Sequence, residues 1–92
     1  MSATPTSSVT VRYWAAARAA AGIESEAVAA PEGGVTITEL AAVVTARHTD
    51  LDRVMQVASV LVEGRSVARA DWPARLVAPG EVVEILPPFA GG

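Results

Sequence analysis

The sequence predicts an α+β domain, with a mixed sheet of four to five strands covered on one face by one main helix. Residues 9–13 alternate apolar with polar residues, and this period of two is typical of a half-buried strand. Residues 82–86 form a second strand-like run, Val-Val-Glu-Ile-Leu. Between them lies one long segment with helical periodicity. Strands at both ends and one long helix between them indicate a single sheet with a helix packed across it.

The main helix is predicted at residues 36–48. Thr36 as N-cap and Glu39 three residues later match a capping box, in which each side chain accepts a hydrogen bond from the other residue's backbone N–H group. Four apolar residues then recur at the i, i+3, i+4 and i+7 positions of one helical face: Ile37, Leu40, Ala41 and Val44. This face is expected to cover the sheet.

Shorter elements fill the rest of the domain. We expect an alanine-rich helix at residues 15–21 that ends at Gly22, because glycine readily adopts the left-handed terminating conformation. Further elements are predicted in this order: a strand at 24–29, a turn at 31–34, a helical turn at 51–55, a strand at 59–62, a tight turn at 63–64 and a connecting loop containing Trp72 and Pro73.

The last predicted strand has two different faces. Val83 and Ile85 should point towards the helix, whereas Val82, Glu84 and Leu86 should share the uncovered face. Two apolar side chains beside a charge fit a partner-binding surface. The same pattern also follows from strand propensity alone, so the residues leave both interpretations open.

Composition restricts the class of protein. The chain has 92 residues, 51% of them hydrophobic, which indicates one small globular domain. A net charge of −3 argues against nucleic-acid binding. The absence of cysteine excludes disulfides and thiolate metal sites within these residues. Residues 1–8 are expected to form a flexible arm without a signal-peptide pattern, and no apolar stretch has membrane-spanning length, so we expect a cytoplasmic protein.

All seven basic residues are arginine. A GC-rich genome explains this, and the many alanine, glycine and valine residues also indicate such a genome. A chemical interpretation is also open: an activated C-terminal acyl group would be attacked by amines, and a chain without lysine offers no side-chain amine of its own.

Residues 87–92 follow the domain at 9–86 and are predicted to form an extended tail, Pro-Pro-Phe-Ala-Gly-Gly. Gly91 and Gly92 carry no side chains, so they could pass through a narrow channel and present the carboxylate of Gly92 at its far end. Two prolines restrict the base of the tail, and Phe89 could anchor in an apolar groove of a partner. Alternatively, the prolines simply end the strand and Phe89 folds back onto the domain.

The strand order, the segment Leu61-Val62-Glu63-Gly64 and above all the Pro-Pro-Phe-Ala-Gly-Gly tail resemble the small subunit of molybdopterin synthase. Those proteins are β-grasp, ubiquitin-like sulfur carriers. The resemblance implies that Gly92 is adenylated by a ubiquitin-activating-type enzyme that uses ATP and is then converted to a thiocarboxylate. The sulfur would be donated to cyclic pyranopterin monophosphate inside the large subunit, with Ala90 and Gly91 threading into it and the two subunits forming a heterotetramer.

The remaining site predictions concern the partner surface, which we expect to include Phe89, Pro88, Leu86, Val82 and Arg12. No metal or bound cofactor is expected. The chain has no cysteine, P-loop or dinucleotide motif, so it should not be an enzyme on its own. His48 is predicted to be a helix-end residue without a nearby carboxylate.

Two alternatives remain at the level of sequence. One is a sulfur carrier that serves thiamin or cysteine synthesis, with the same fold and tail chemistry but another acceptor. The other is a ubiquitin-like interaction domain without catalytic function, or a protein modifier that is attached to lysines.

Overall fold

A computed structural model describes residues 7–88 of the chain. The elements, in chain order, are β1 (Ser8–Tyr13), α1 (Ala16–Ala21), β2 (Ser25–Ala29), β3 (Val35–Thr36), α2 (Ile37–Arg47), α3 (Leu51–Met55), β4 (Ser59–Val62), β5 (Arg65–Ser66), a 3-10 turn (Arg69–Asp71), β6 (Leu76–Val77) and β7 (Val82–Leu86). No helix among these residues is both long and apolar enough to cross a lipid bilayer.

The main sheet has five strands in the order β2-β1-β7-β4-β5, so the last strand of the chain lies at its centre. Strand β7 runs parallel to β1, with Val83 beside Val11, and antiparallel to β4, with Val83 opposite Val62. A second, two-stranded sheet pairs β3 with β6. The α+β prediction is therefore confirmed: the sheet is mixed, has five strands and carries a helix on one face.

One apolar cluster connects the sheet with the helices. Val83 and Ile85 of β7 are buried, as predicted, in the same cluster as three residues of α2: Ile37, Leu40 and Val44. Fully burying such an aliphatic side chain contributes about 1.5–3 kcal/mol relative to leaving it exposed. The central strand and the main helix thus stabilise each other.

The predicted helix ends are also confirmed. The Thr36 hydroxyl accepts a hydrogen bond from the Glu39 N–H at 3.0 Å, and the Glu39 carboxylate accepts one from the Thr36 N–H at 2.8 Å. Helix α2 ends at His48, whose N–H donates to Val44 O. Helix α1 ends at Gly22, which has φ 78°, a conformation that costs glycine little.

Two features of the β5–β7 region were not predicted. The two-residue strands β3 and β6 are too short to show any periodicity in the sequence. Trp72 lies in the segment between β5 and β6, as expected, but its side chain is only 6% exposed and belongs to the core. The indole N–H donates to Val67 O at 3.2 Å, and the Arg69 guanidinium lies 4.1 Å from the ring centroid.

Gly34 provides a test of the contact between the small sheet and the preceding turn. It has φ 89°, and a Cβ added there would lie 2.7 Å from Val77 O. Gly34→Ala should therefore lower the free energy of unfolding by more than about 1 kcal/mol, measured by urea denaturation. Gly33→Ala is the matched control, because nothing lies within 4 Å of its added Cβ. Equal losses in both variants would contradict this close approach.

Candidate functional site

The predicted site residues fall into two groups. Val82, Leu86, Pro88 and Arg12 lie within the described part of the chain. The predictions for the tail itself concern residues outside it: Phe89, Ala90, Gly91 and Gly92. The structure therefore describes the strand from which the tail begins, together with its surroundings.

The end of β7 is held from both sides. On one side, the Trp14 N–H donates to Ile85 O at 3.0 Å. On the other side, Ser59 of β4 is the register partner of Leu86. Pro87 and Pro88 follow and are exposed. Because proline has no N–H group, these two residues cannot donate to a continued ladder, and the chain leaves the sheet here.

The sheet face opposite α2, the uncovered face, contains the predicted partner residues. Val82 and Leu86 are partly exposed on it, with Glu84 between them. Glu84 is the register partner of Arg12 on one side and of Leu61 on the other. The structure thus brings Arg12, Val82 and Leu86 together on β7 and its neighbour β1, and Pro88 follows the end of β7.

Trp14 is a further residue of this surface. Its ring is 38% exposed, and its indole N–H donates to the Glu84 carboxylate at 3.0 Å. The Arg12 guanidinium lies 5.1 Å from the ring centroid. The sequence carried a signal for this placement, since Trp14 is two residues after Arg12 and alternate residues of a strand share a face. An exposed tryptophan beside the strand end makes a strong candidate anchor for a partner.

A polar cluster around Glu26 lies on the opposite, helix-covered face, at the edge strand β2. Glu26 is only 13% exposed, and a buried carboxylate is costly unless hydrogen bonds satisfy it. Three donors do so. Tyr13 OH donates to Oε2, Arg47 Nη1 lies 2.8 Å from Oε1, and His48 Nε2 lies 2.6 Å from Oε2.

These contacts determine the protonation state of the cluster. Burial alone would raise the pKa of Glu26, but the hydrogen bonds from Tyr13, Arg47 and His48 prevail and lower it below the ordinary value of 4.5. Burial raises the pKa of Tyr13 above its usual range, and its hydrogen bond to Glu26 acts in the same direction. Near neutral pH the cluster therefore holds a carboxylate and a neutral phenol.

The prediction for His48 is half right. His48 does end the main helix, but the expected absence of a nearby carboxylate is wrong, since its ring contacts Glu26. The two residues are 22 positions apart, and only the pairing of β2 with β1 brings the carboxylate under the end of α2. Residues 7–88 contain no group of three or more His, Cys, Asp or Glu side chains arranged to hold a metal ion.

Arg47 has a second contact that concerns the edge of the sheet. Besides Glu26, its Nη1 donates to Ala27 O at 3.0 Å. Strand β2 is the outer strand beside β1, so it has one side without a neighbouring strand. A guanidinium on an outward carbonyl removes one of the groups that another chain could pair with.

Comparison with known proteins agrees with this architecture. Residues 11–92 match the model of the ThiS family. The chain belongs to the ThiS family. It is thus a ubiquitin-like domain of the sulfur-carrier type, with a β-grasp fold. A search of curated proteins found no significant match.

Several solved structures share the fold. A Pyrococcus furiosus protein assigned as molybdopterin converting factor subunit 1 is 27% identical, with TM-score 0.74 over 89% of this chain and 98% of that chain. Subunits 1 and 2 of molybdopterin-converting factor from Helicobacter pylori were solved as a complex, which matches at 20% identity and TM-score 0.66, covering 92% and 99%. SAMP1 from Haloferax volcanii matches at 22% identity and TM-score 0.73, covering 92% and 99%.

The Glu26 cluster makes a pH prediction. The pKa of Glu26 is lower in the folded chain than in the unfolded chain. At pH values between these two pKa values, the unfolded chain therefore binds more protons. The stabilisation is therefore present above about pH 4.5 and is lost as pH falls through the folded pKa. Glu26→Gln should lose about 1–3 kcal/mol at pH 7 and show a weaker decline on acidification, measured by urea denaturation at several pH values.

The control for this prediction is Glu24→Gln. Glu24 forms an ion pair with Arg18 at 2.7 Å, but its side chain is 74% exposed. An exposed pair of this kind contributes about 0–1 kcal/mol, so the control should retain nearly all of the wild-type stability and pH dependence. If Glu26→Gln behaves like Glu24→Gln, the three donors do not stabilise the carboxylate.

Proposed function

We propose that this chain is the sulfur-donating small subunit of molybdopterin synthase, a cytoplasmic carrier whose C-terminal Gly92 receives and delivers sulfur. The observation that carries the proposal is the position of β7: the central strand of the sheet leads directly into Pro-Pro-Phe-Ala-Gly-Gly. A tail that begins at a strand paired on both sides has a fixed base from which to reach into another protein.

The chemistry requires activation by a partner. An α-carboxylate has a pKa of about 3.5, so at neutral pH it is an anion and a poor electrophile. Adenylation with ATP converts one carboxylate oxygen into the leaving group AMP, with release of pyrophosphate. Sulfide then attacks the carbonyl carbon, the bond to AMP breaks, and a thiocarboxylate remains on Gly92. We assign both steps to a ubiquitin-activating-type enzyme, and this chain binds no cofactor itself.

The large subunit supplies the acceptor pocket in this proposal. Ala90 and Gly91 thread into it, and six residues from position 87 to 92 span about 20 Å when extended. Phe89 and Pro88 contact the entrance, whereas Leu86, Val82 and Arg12 contact the rim. A structural neighbour at 20% identity was solved as a complex of subunits 1 and 2, which supports a paired assembly of this type.

The uncovered face has the composition that such an interface needs. Leu86, Val82 and Trp14 supply partly exposed apolar surface, and Arg12 and Glu84 supply charges between them. Interfaces commonly combine an apolar or aromatic anchor with polar groups at its margin. Trp14 lies beside the strand end, where its N–H bonds to Ile85 O, and would be an aromatic anchor next to the tail.

A thiamin-pathway sulfur carrier is the second candidate, and the match to the ThiS family favours it. In that case the fold, the tail and the activation of Gly92 would be the same, and only the acceptor would differ. The two candidates are therefore separated by the acceptor and not by the carrier chemistry.

The tail chemistry can be tested by intact mass. After co-expression with an adenylating enzyme and a sulfur source, the chain should gain about 16 Da, because one oxygen is replaced by sulfur. Deletion of Gly92 should abolish sulfur transfer while leaving the melting temperature unchanged, because the described apolar core is built from residues between positions 9 and 85. Transfer to cyclic pyranopterin monophosphate in the presence of a large subunit supports our proposal, and transfer only to a thiazole-forming enzyme supports the second candidate. A chain that never gains sulfur contradicts both.

The partner surface can be tested with Leu86→Asp. A carboxylate on the uncovered face should weaken large-subunit binding at least tenfold, since a buried unpaired charge costs several kcal/mol at an interface. The matched control is Leu76→Asp, because Leu76 is 51% exposed and lies on the small sheet, away from β7. Binding is measured by titration calorimetry and folding by circular dichroism. Equal weakening by both variants would place the interface elsewhere.

A further inference from the structure

The basic residues of this chain are all arginine, and this affects how an activated C-terminus can react. The 92 residues contain seven arginines and no lysine. If Gly92 becomes an activated acyl group, as proposed above, any neutral amine within reach can attack it. Lysine, with a pKa of about 10.4, is neutral in a small fraction of molecules near pH 8, whereas arginine stays protonated.

Two of the arginines make several contacts at once, which a guanidinium suits well. Arg69 Nη2 donates to both Met55 O at 2.8 Å and Ala58 O at 3.1 Å, while its guanidinium lies over the ring of Trp72. Arg47 bridges Glu26 and Ala27 O from one nitrogen. The planar, multiply donating group suits both positions, and packing explains why lysine does not occur there.

Packing does not explain the other five. Arg18 forms one exposed ion pair with Glu24, which an ammonium group could also form. Arg75 donates to the carbonyl of its neighbour Leu76. Arg12 lies over the Trp14 ring, where a lysine would also be attracted. The last two, Arg53 and Arg65, are exposed, and their side chains have no hydrogen bond or ion pair with another described residue.

The position of Arg18 shows which part of the surface is within reach. Its N–H contacts Trp14 O at 3.4 Å, and the Trp14 N–H bonds to Ile85 O, so Arg18 lies at the end of the sheet where β7 ends. Four residues follow Pro88, and at about 3.3 Å each they extend at most about 13 Å. Arg65, in contrast, pairs with Val62 beside the start of β7, at the opposite end of the strand.

We propose that the lysine-free surface prevents an activated Gly92 acyl group from acylating its own domain. In the reaction that is avoided, the lysine nitrogen attacks the Gly92 carbonyl carbon, a C–N bond forms, the bond to the leaving group breaks, and the nitrogen loses one proton. The acyl group therefore remains for sulfur or for a partner's nucleophile. As a further consequence, if the chain modifies lysines of other proteins, it attaches as single units and does not build lysine-linked chains on itself.

The test uses the full chain with its N-terminal α-amine acetylated by a co-expressed acetyltransferase, so that an introduced lysine is the only amine. The chain carries a C-terminal thioester, made by intein cleavage with a small thiol. The variants are Arg18→Lys and Arg12→Lys near the end of β7, with Arg65→Lys as the matched distant control. Each is incubated at about 10 μM and pH 8, and the products are separated by intact mass. An internal amide is lighter than the hydrolysed acid by one water.

We expect the wild type to give the hydrolysed acid, and at least one near variant to give roughly tenfold more internal amide than Arg65→Lys. The reason is that a short tether supplies an effective amine concentration in the millimolar range. Internal amide from the wild type, or none from both near variants, would overturn the proposal. Because the thioester needs no activating enzyme, the result is independent of the co-expression experiment that tests the sulfur-carrier function.

Discussion

The position of β7 between β1 and β4 is the constraint on which the rest of the structure depends. The strand hydrogen-bonds on both sides, and Val83 and Ile85 fill the core beneath α2. Its other side chains form the middle of the uncovered face. One short segment thus joins the two halves of the sheet, supplies part of the proposed partner surface and determines where the tail begins. In the proposed carrier, stability and the direction of the reactive end have the same physical origin.

The two faces of the sheet differ in packing and accessibility. The covered face is closed by apolar packing, and at its edge the Glu26 cluster ties the end of α2 to β2 through Tyr13, Arg47 and His48. The uncovered face keeps Trp14 and Leu86 partly accessible. Because the Glu26 cluster and the proposed partner surface lie on opposite faces, substitutions can separate effects on folding from effects on binding.

Local patterns predicted much of this fold. Thr36 and Glu39 placed the start of α2, Gly22 placed the end of α1, and alternation assigned the faces of β7. These signals act within a few residues of one another, so a single sequence contains them completely. Resemblance of the tail to known sulfur carriers then indicated the family.

The features that were missed depend on contacts between distant parts of the chain. The carboxylate of Glu26 reaches His48 only after β2 has paired with β1. Trp72 is buried in the same apolar cluster as Val9 and Leu40, which lie far from it in the sequence. The pairing of β3 with β6 joins residues about forty positions apart through two short strands. No local periodicity in the sequence predicts such pairings, because they follow from the global arrangement of the sheet.

The central strand also has a consequence for biosynthesis. Translation makes residues 82–86 after every other strand, yet β1 and β4 become neighbours only through them. While this segment is still inside the ribosome, the sheet has a gap in its middle, and the apolar faces of β1 and β4 lack their shared neighbour. Nascent chains of this protein must therefore complete folding late, and products that stop before residue 82 should be recognised by chaperones and proteases as unfinished.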